Sequence, residues 1–367
     1  MNIKNRISDI FESIKKEKGD ISDTVLLVMS DVNRFYLSEF CSSSGYLVLL
    51  ENKFYLILDS RYYNDAVRKV KDIEIILSNN FNKSLCNVIN KHKVKKILLE
   101  TNFVTLRMYE KLEKVFLKEQ ASCMLLKENT LDIALEKARS IKTKDEIEKI
   151  KKAQYITQES FNNILNFIKP GITELEIATE FEFFAKKLGA KCVAFDLIVA
   201  SGVNSSYPHS KVGNKKIEKN DVILLDVGFN FDGYMSDMSR TLFIGEPSRK
   251  QKEVYDLVLK AQNLAISKIK PGIKCSEIDC VVREFINKTK YIDCFLHATG
   301  HGVGLNIHEK PFISKNSKDI LEPGMVITIE PGIYIKGEFG VRIEDMILIT
   351  KDSCKNLTST KKDIIIL

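Results

Sequence analysis

A glycine-rich stretch, HATGHGVGLNIHE at positions 297–309, holds three of the chain's five histidines. Imidazoles bind divalent metals and exchange protons near neutral pH, so such a cluster favours a metal site or an acid–base site. Glycines at 300, 302 and 304 interrupt any regular helix and let the backbone come close to a neighbour. The stretch does not have the G-x-G-x-x-G spacing of a dinucleotide-binding loop, so it does not indicate nucleotide binding.

Four acidic residues lie in or beside apolar, strand-like runs elsewhere in the chain. VILLDVG carries Asp226 and MVITIEPG carries Glu330, and a second acid follows each after a glycine turn, namely Asp237 and Glu344. A carboxylate inside an apolar strand is costly unless it is paired or bound to a cation. Four converging carboxylates would repel one another, and two divalent metals would neutralise them. Histidine and carboxylate ligands without thiolates favour Mn, Co, Fe or Zn.

An internal repeat must position these acids. FIKPGITELEI (167–177) recurs as KIKPGIKCSEI (268–278), and DVILLDVGFNFDGYMSD (221–237) resembles MVITIEPGIYIKGEFGVRIED (325–345). In each copy a helix ends at Pro-Gly, a second helix begins, and an alternating apolar hairpin follows. The repeat predicts a pseudo-twofold domain around one central sheet, with ligands from both halves at its centre.

The residues before this repeat have a different pattern, in which short strand-like runs alternate with helical ones. This pattern predicts a mixed α/β domain without a ligand cluster, whose one histidine is His92. A long, charge-rich helical segment at 131–168 follows it. We therefore expect two domains, 1–130 and 131–367. The predicted strands are 24–29, 45–50, 53–58, 73–77 and 95–100, and the predicted helices are 64–70, 82–93 and 105–118.

The composition narrows the class of protein. The chain has 367 residues, 44% hydrophobic and 29% charged, as in an ordinary soluble protein of two domains. Its net charge of +7 comes from dispersed lysines without interleaved aromatics, so we expect no nucleic-acid partner. No apolar stretch approaches the ~20 residues of a membrane span, and the charged N-terminal helix has no signal core, so we expect no membrane contact and a cytoplasmic location.

The eight cysteines form no C-x-x-C pair. In a reducing compartment they are expected to be buried thiols, and a thiolate zinc site is not indicated.

Most of the chain resembles a known enzyme family. The motifs LLDVGFNFDGYMSDMSRT, GHGVGLNIHE, MVITIEPGIY and GVRIED resemble those of the pita-bread metallopeptidases, which include aminopeptidase P, Xaa-Pro dipeptidase and methionine aminopeptidase. NRFYLSEFCSSSGYLVLL and LDSRYYNDA resemble the creatinase-type N-terminal domain of the proline peptidases. The resemblance implies an α/β (α+β) fold with a creatinase-like domain at 1–130 and a pita-bread domain at 131–367.

The resemblance also implies the roles of individual residues. His297, His308 and His209 match histidines that contact the substrate or stabilise the tetrahedral intermediate, and Arg342 matches an arginine that supports the acidic ligands. Glu330 is expected to accept the proton of the attacking water as well as to bind metal. The matched ligands of two divalent metals, expected to be manganese, are Asp226, Asp237, His301, Glu330 and Glu344.

The same resemblance suggests the substrate, a peptide with proline at its second position, and a homodimer. Within it, we expect an Xaa-Pro aminopeptidase acting on longer peptides, with an Xaa-Pro dipeptidase as the alternative. Phe312 in HEKPFIS stands where several relatives carry an arginine that could bind the free carboxylate of a dipeptide, which leaves Lys310 as the substitute cation.

Three further functions remain open. A methionine aminopeptidase would not need the ~130-residue N-terminal domain, and a metal-free creatinase-type amidinohydrolase would leave the five matched ligands unexplained. A non-enzymatic interaction protein on the same fold would be expected to have lost ligands, and none is missing.

Overall fold

The computed structural model describes residues 3–367 of the chain. These residues divide into two compact units, the first ending at Arg139 and the second comprising Ser140–Leu367. The sequence places the division at 130/131, which is the start of a helix, Thr130–Ser140, that belongs almost entirely to the first unit.

The first unit is a mixed sheet with helices, as its pattern predicts. The strands lie in the order β4-β3-β2-β1-β5-β6, and β1 runs antiparallel to β2 and parallel to β5. Every predicted strand and helix is present, whereas the helix at Asp31–Ser38 and the strand at Met124–Leu126 were not predicted. The elements are α1 Ile3–Lys18, β1 Thr24–Val28, α2 Asp31–Ser38, β2 Tyr46–Leu50, β3 Lys53–Leu58, α3 Ser60–Lys69, β4 Glu74–Leu77, α4 Phe81–His92, β5 Lys96–Leu99, α5 Leu106–Lys118, β6 Met124–Leu126 and α6 Thr130–Ser140.

The second unit contains two long helical pairs, each followed by strands. Its elements are α7 Lys144–Ile164, α8 Glu174–Lys187, β7 Cys192–Val193, β8 Ile198–Ser201, β9 Val222–Val227, β10 Phe229–Phe231, β11 Tyr234–Met235, β12 Met238–Phe243, α9 Arg249–Lys268, α10 Cys275–Asn287, β13 Gly300–Gly302, β14 Glu309–Ile313, β15 Val326–Ile329, β16 Gly332–Ile335, β17 Phe339–Arg342, β18 Asp345–Ile349, β19 Cys354–Asn356 and β20 Ile365–Ile366.

The helical segment at 131–168 is divided into α6 and α7. The division occurs because Thr143 caps α7: its side chain accepts a hydrogen bond from the Glu146 backbone, and the Glu146 side chain accepts one from the Thr143 backbone. This reciprocal cap satisfies the free N–H groups of a helix start.

The repeated halves form two larger sheets, beside the small sheets β11-β10-β7 and β16-β17, rather than the one central sheet expected. One has the order β20-β12-β9-β8, and the other has the order β14-β13-β15-β18-β19. Each half contributes an antiparallel pair, β9 with β12 and β15 with β18. The two halves are joined by isolated hydrogen bonds, such as the one from the Glu344 N–H to the Ser239 carbonyl, which do not form a continuous ladder.

The sequence predicted no membrane-spanning helix and buried cysteines, and the structure bears on both expectations. In the part of the chain that the structure describes, no helix combines the length and the apolarity needed to cross a bilayer. All eight cysteines are free thiols, but only Cys86 and Cys275 are buried, so the expectation of uniformly buried thiols was wrong. Cys41, Cys192 and Cys280 are exposed, because they lie on loops, an edge strand and the outer face of a helix.

Candidate metal centre

The first hairpin of the second unit holds two of the predicted acids close together. Asp226 is the penultimate residue of β9 and lies opposite Ser239 of β12, and Asp237 directly precedes β12. The apolar residues around them form the core, so Asp237 is only 5% exposed.

The second hairpin repeats this arrangement. Glu330 directly follows β15, Glu344 directly precedes β18, and Ile329 lies opposite Asp345 in the ladder. The Glu344 backbone N–H donates to the Ser239 carbonyl at 3.1 Å, and the Ser239 hydroxyl donates to Glu344 Oε2 at 2.8 Å. These two bonds join the hairpins, so the acids of both halves meet as the repeat predicts.

His301 lies on β13 and faces this group of acids. Its Nδ1 is 3.1 Å from the Gly302 carbonyl oxygen, which can only accept, so Nδ1 carries the proton. Nε2 is then unprotonated, and this atom lies 3.4 Å from Glu330 Oε1 and 3.6 Å from Asp237 Oδ2. A lone pair and two carboxylate oxygens at these distances need a cation or a proton between them.

The carboxylates have raised pKa values and unsatisfied oxygens, as expected of residues that bind metal. Burial, and then the charges of Glu344, Asp226 and Glu330, raise the pKa of Asp237 well above its usual value. Burial also raises the pKa of Glu330 to about 8 and the pKa of Glu344 well above the ordinary range. Within residues 3–367, the buried atoms Asp226 Oδ1 and Glu344 Oε1 have no hydrogen-bond partner.

Three of these residues meet the geometric condition for binding one ion. Asp237, His301 and Glu344 each offer a ligand atom, and these atoms lie within 4.8 Å of one another. Asp226 and Glu330 lie within electrostatic reach of the same group. The donor set, the oriented imidazole and the unsatisfied oxygens therefore fit divalent cations.

Arg342 is buried beside the acids, and each of its three side-chain nitrogens donates a hydrogen bond. Its Nη2 donates to Asp226 Oδ2 at 2.5 Å, its Nε to the Ser239 hydroxyl at 2.8 Å, and its Nη1 to the Tyr334 hydroxyl at 2.6 Å. The side chain is 3% exposed. It therefore holds Asp226 in place, which is consistent with the expected supporting role of Arg342.

His297 belongs to the same hydrogen-bond network, because Tyr334 contacts both His297 and Arg342. Its Nδ1 donates to the Ala298 carbonyl at 2.8 Å, so its Nε2 accepts a hydrogen bond from the Tyr334 hydroxyl at 2.9 Å. Burial and then the charge of Arg342 lower the pKa of His297 to about 3. Both ring nitrogens are thus engaged and the ring is neutral, and the expected support of a reaction intermediate by His297 stays a prediction.

His308 and His209 line the cavity beside the acids. The ring of His308 lies edge-on to His301, with 4.3 Å between the ring centroids, and the residue is exposed. Its ring makes no hydrogen bond within the described chain. Although the residue as a whole is exposed, its ring is partly buried against His301, and this burial lowers the pKa of His308. His308 is thus a neutral imidazole that can donate a hydrogen bond to a bound molecule.

The cavity around these groups has a volume of about 910 Å³. All nine predicted site residues line it or contact its lining. Its other wall is formed by α8, residues 193–198 and residues 207–212. A cavity of this size accommodates a small peptide beside the acids.

Sequence analysis missed Tyr334 and Ser239, although both contact Arg342. A lone tyrosine or serine on an apolar strand has no distinctive spacing, so no sequence signal identifies them. It also missed an ion pair between Lys142 Nζ and Glu309 Oε1, whose atoms are 2.9 Å apart. Both side chains are buried, with 1% and 8% exposure.

Glu309, the first residue of β14, contacts the loop that joins His301 on β13 to His308. The Asn306 N–H lies 3.4 Å from Glu309 Oε2, and a Cβ on Gly304 would lie 2.3 Å from Glu309 Oε1. The glycine is therefore required because the loop backbone passes directly over this carboxylate. The Lys142–Glu309 pair thereby anchors the loop between the two histidines.

Replacing Lys142 with methionine should destabilise the second unit by about 3 kcal/mol, because the Glu309 carboxylate loses its ammonium partner while buried. The free energy of unfolding measured with urea tests this. Lys144→Met is the matched control, since Lys144 is exposed two residues away, and it should change the value by less than about 0.5 kcal/mol. Equal effects of the two substitutions would contradict the proposed role of the ion pair.

Comparison with family models gives two matches. A model described as "Metallopeptidase family M24" matches residues 148–351, and a model described as "Creatinase/Prolidase N-terminal domain" matches residues 12–139. The first match includes all nine predicted site residues.

Three similar proteins extend this comparison. An Xaa-Pro dipeptidase of Pyrococcus furiosus is 44% identical over 64% of this chain and 68% of its own length. The solved structure of an Xaa-Pro dipeptidase from Bacillus anthracis has a TM-score of 0.93 and 35% identity, with all of both chains covered. The structure of an X-Pro aminopeptidase from Thermotoga maritima has a TM-score of 0.86 and 36% identity over 94% of this chain and 97% of its own.

Proposed function

The chain belongs to metallopeptidase family M24, and on that premise we propose that it is an Xaa-Pro dipeptidase that uses two divalent metal ions. The observation that carries the proposal is the group of four carboxylates and one oriented imidazole at the wall of a peptide-sized cavity. The sequence favoured an Xaa-Pro aminopeptidase, with the dipeptidase as its alternative. The proteins named as dipeptidases, one of them alike over the entire chain, support the reverse order.

The residues that would hold the metals are Asp226, Asp237, His301, Glu330 and Glu344. When bound, divalent ions such as manganese would neutralise these acids, polarise the scissile carbonyl and make water acidic enough to provide hydroxide near neutral pH. The unsatisfied oxygens of Asp226 and Glu344 and the free lone pair of His301 support this assignment.

The chain's own groups would then handle protons and charge. A Glu330 oxygen accepts the proton of the attacking water and delivers it to the prolyl nitrogen as that bond breaks. His308 donates a hydrogen bond to the oxygen that becomes negative, since its ring has no other partner in the described chain. Arg342 and Tyr334 keep Asp226 and His297 in fixed orientations around the reacting bond.

Xaa-Pro aminopeptidase activity is the second candidate. Phe312 lines the cavity and is 42% exposed, so it offers an apolar surface for residues that follow proline in a longer peptide. The likeness to the T. maritima aminopeptidase favours the same function.

A direct comparison of substrates tests the proposal. With the metal-loaded enzyme, kcat/KM for Ala-Pro should exceed that for Ala-Pro-Ala by at least about tenfold, the effect of ~1.4 kcal/mol of selective binding. Ala-Ala serves as the control for proline selectivity and should be cleaved poorly. A tenfold preference for the tripeptide would favour the aminopeptidase, and failure to cleave either proline substrate would refute both candidates.

Three expectations from the sequence remain predictions. They are the identity of the metal as manganese, the homodimer and the cytoplasmic location. Metal analysis of the purified protein, its molar mass in solution and fractionation of cells would each decide one of them.

A further inference from the structure

If the chain is a dipeptidase, as proposed above, a group of the protein must bind the free carboxylate of the dipeptide. The assignment of that group rests on the proposed function. A dipeptidase must bind a carboxylate directly after proline, a few ångströms from its own metal-binding acids. Bound metal ions would neutralise those acids but would be taken up by the scissile carbonyl and the attacking water, so the carboxylate needs a separate cation within the substrate cavity. Among the described residues that line the cavity, the two with cationic side chains are Arg342 and Lys211.

Arg342 is not available for this purpose. Its guanidinium is 3% exposed and donates to Asp226, Tyr334, Ser239 and the Pro208 carbonyl. Releasing it would leave Asp226 and the other buried acceptors without their donor. The free carboxylate of the substrate therefore needs another partner.

The histidines of the cavity do not fill this role either. His301 presents Nε2 to the acids Glu330 and Asp237, and the ring of His308 lies against His301. Both ring nitrogens of His297 are hydrogen-bonded. An ammonium is also fully charged at neutral pH, whereas an imidazole is at most partly charged.

Lys211 has the properties that the carboxylate requires. It is exposed, lines the cavity, and has no ion pair or hydrogen bond within residues 3–367. It lies on a segment that is fixed relative to the acids, because Arg342 Nη1 donates to the Pro208 carbonyl at 3.2 Å and the Ser210 N–H donates to the Tyr207 carbonyl at 3.2 Å. An ammonium on a fixed turn costs less to position than one on a mobile loop.

The segment after His308 does not provide the cation. Phe312 lines the cavity, whereas Lys310, the substitute cation expected from the sequence, is not among the residues that line it. The lining also includes the acids Glu182 and Asp196, which would attract the substrate's amino group rather than its carboxylate. Apart from Arg342, Lys211 is thus the cationic side chain that the lining offers to an anion.

We propose that Lys211 binds the free carboxylate of the dipeptide and thereby selects dipeptides over longer peptides. The ammonium pairs with the carboxylate, while Phe312 packs against the apolar part of the substrate. In this arrangement the cation is contributed by the segment after His209 rather than by the segment after His308.

A carboxylate-blocked substrate tests this proposal with the metal-loaded full chain. In the unaltered enzyme, kcat/KM should be higher for Ala-Pro than for Ala-Pro-amide. Lys211→Met should lower kcat/KM for Ala-Pro about tenfold, mainly through KM, which is the size of one partly solvated charge pair. Hydrolysis of Ala-Pro-amide should change less than about twofold, since that substrate has no carboxylate to lose.

Two variants serve as controls. Lys211→Arg should retain the preference for the free acid, because it keeps the charge, and Lys219→Met should retain it because Lys219 is exposed outside the cavity lining. An unchanged ratio of Ala-Pro to Ala-Pro-amide in Lys211→Met overturns the assignment of Lys211. If the unaltered enzyme cleaves neither substrate, the proposed function itself fails, which is a separate result.

Discussion

Removal of divalent metal is expected to abolish peptidase activity and to lower the melting temperature of the second unit. Activity should fall by at least about 10³-fold, because water activation and carbonyl polarisation both depend on the ions. The melting temperature should fall because metal binds the folded site and not the unfolded chain. Activity and thermal unfolding before and after exhaustive chelation, with elemental analysis, provide the measurement.

The loss of stability should depend on pH. Without metal, burial raises the pKa of Glu330 to about 8 and raises those of Asp237 and Glu344 well above their usual range. A carboxyl group whose pKa is higher in the folded than in the unfolded state favours folding when protonated, and this stability is lost as pH rises through the folded pKa. The chelated protein should therefore be less stable at about pH 8 than at about pH 5.5.

Substitution of a single ligand distinguishes loss of metal binding from loss of folding stability. Asp237→Ala should lose bound metal and activity, yet its chelated form should be at least as stable as the chelated parent, because one repelling carboxylate is gone. Glu322→Ala, at an exposed position of the same unit, is the control and should keep metal and activity. Full activity of the parent protein after chelation, with no metal detected, would contradict the metal-centre assignment.

Replacing His308 with alanine is expected to lower kcat by about 10²–10³-fold while metal content stays near normal, as for loss of one oxyanion or acid–base group. The reason is structural: His308 faces the cavity with a ring that has no hydrogen-bond partner in residues 3–367, whereas His301 faces the acids. Steady-state kinetics and metal analysis of the same preparation measure both effects.

A second variant distinguishes hydrogen bonding from packing at this position. His308→Asn keeps an N–H donor and should recover part of the lost kcat, whereas His301→Asn should lose metal as well. The assignment of the two histidines would be reversed if His308→Ala lost metal and His301→Ala did not.

Much of the fold could be predicted from the sequence because local patterns determine it. The strands of the first unit have continuous apolar runs, and β1 to β5 lie within one or two residues of the predicted bounds. The helix at Asp31–Ser38 was missed because its aromatic and polar residues give weak periodicity, although the capping Ser30 was a readable signal. Thr143 and Glu146 were likewise readable as the start of a new helix.

The supporting residues of the site could not be predicted in this way. The acids and His301 stand out because carboxylates in apolar strands and clustered histidines are unusual. Tyr334 is important only because its hydroxyl lies between Arg342 and His297, and Lys142 only because chain folding brings it to Glu309. Such roles come from tertiary contacts, which no spacing in the chain encodes.

The repeated hairpins place Asp226 and Glu330 at equivalent positions, but the surroundings of the two acids differ. The position two residues before the second acid is Met235 in one half and Arg342 in the other. Arg342 donates to Asp226 at 2.5 Å and so holds that carboxylate in place, whereas Glu330 receives no arginine hydrogen bond within the described residues and burial raises its pKa to about 8. One unmatched residue thus breaks the symmetry of a duplicated backbone: a guanidinium holds Asp226 but not Glu330, which is the proton carrier in the proposed function.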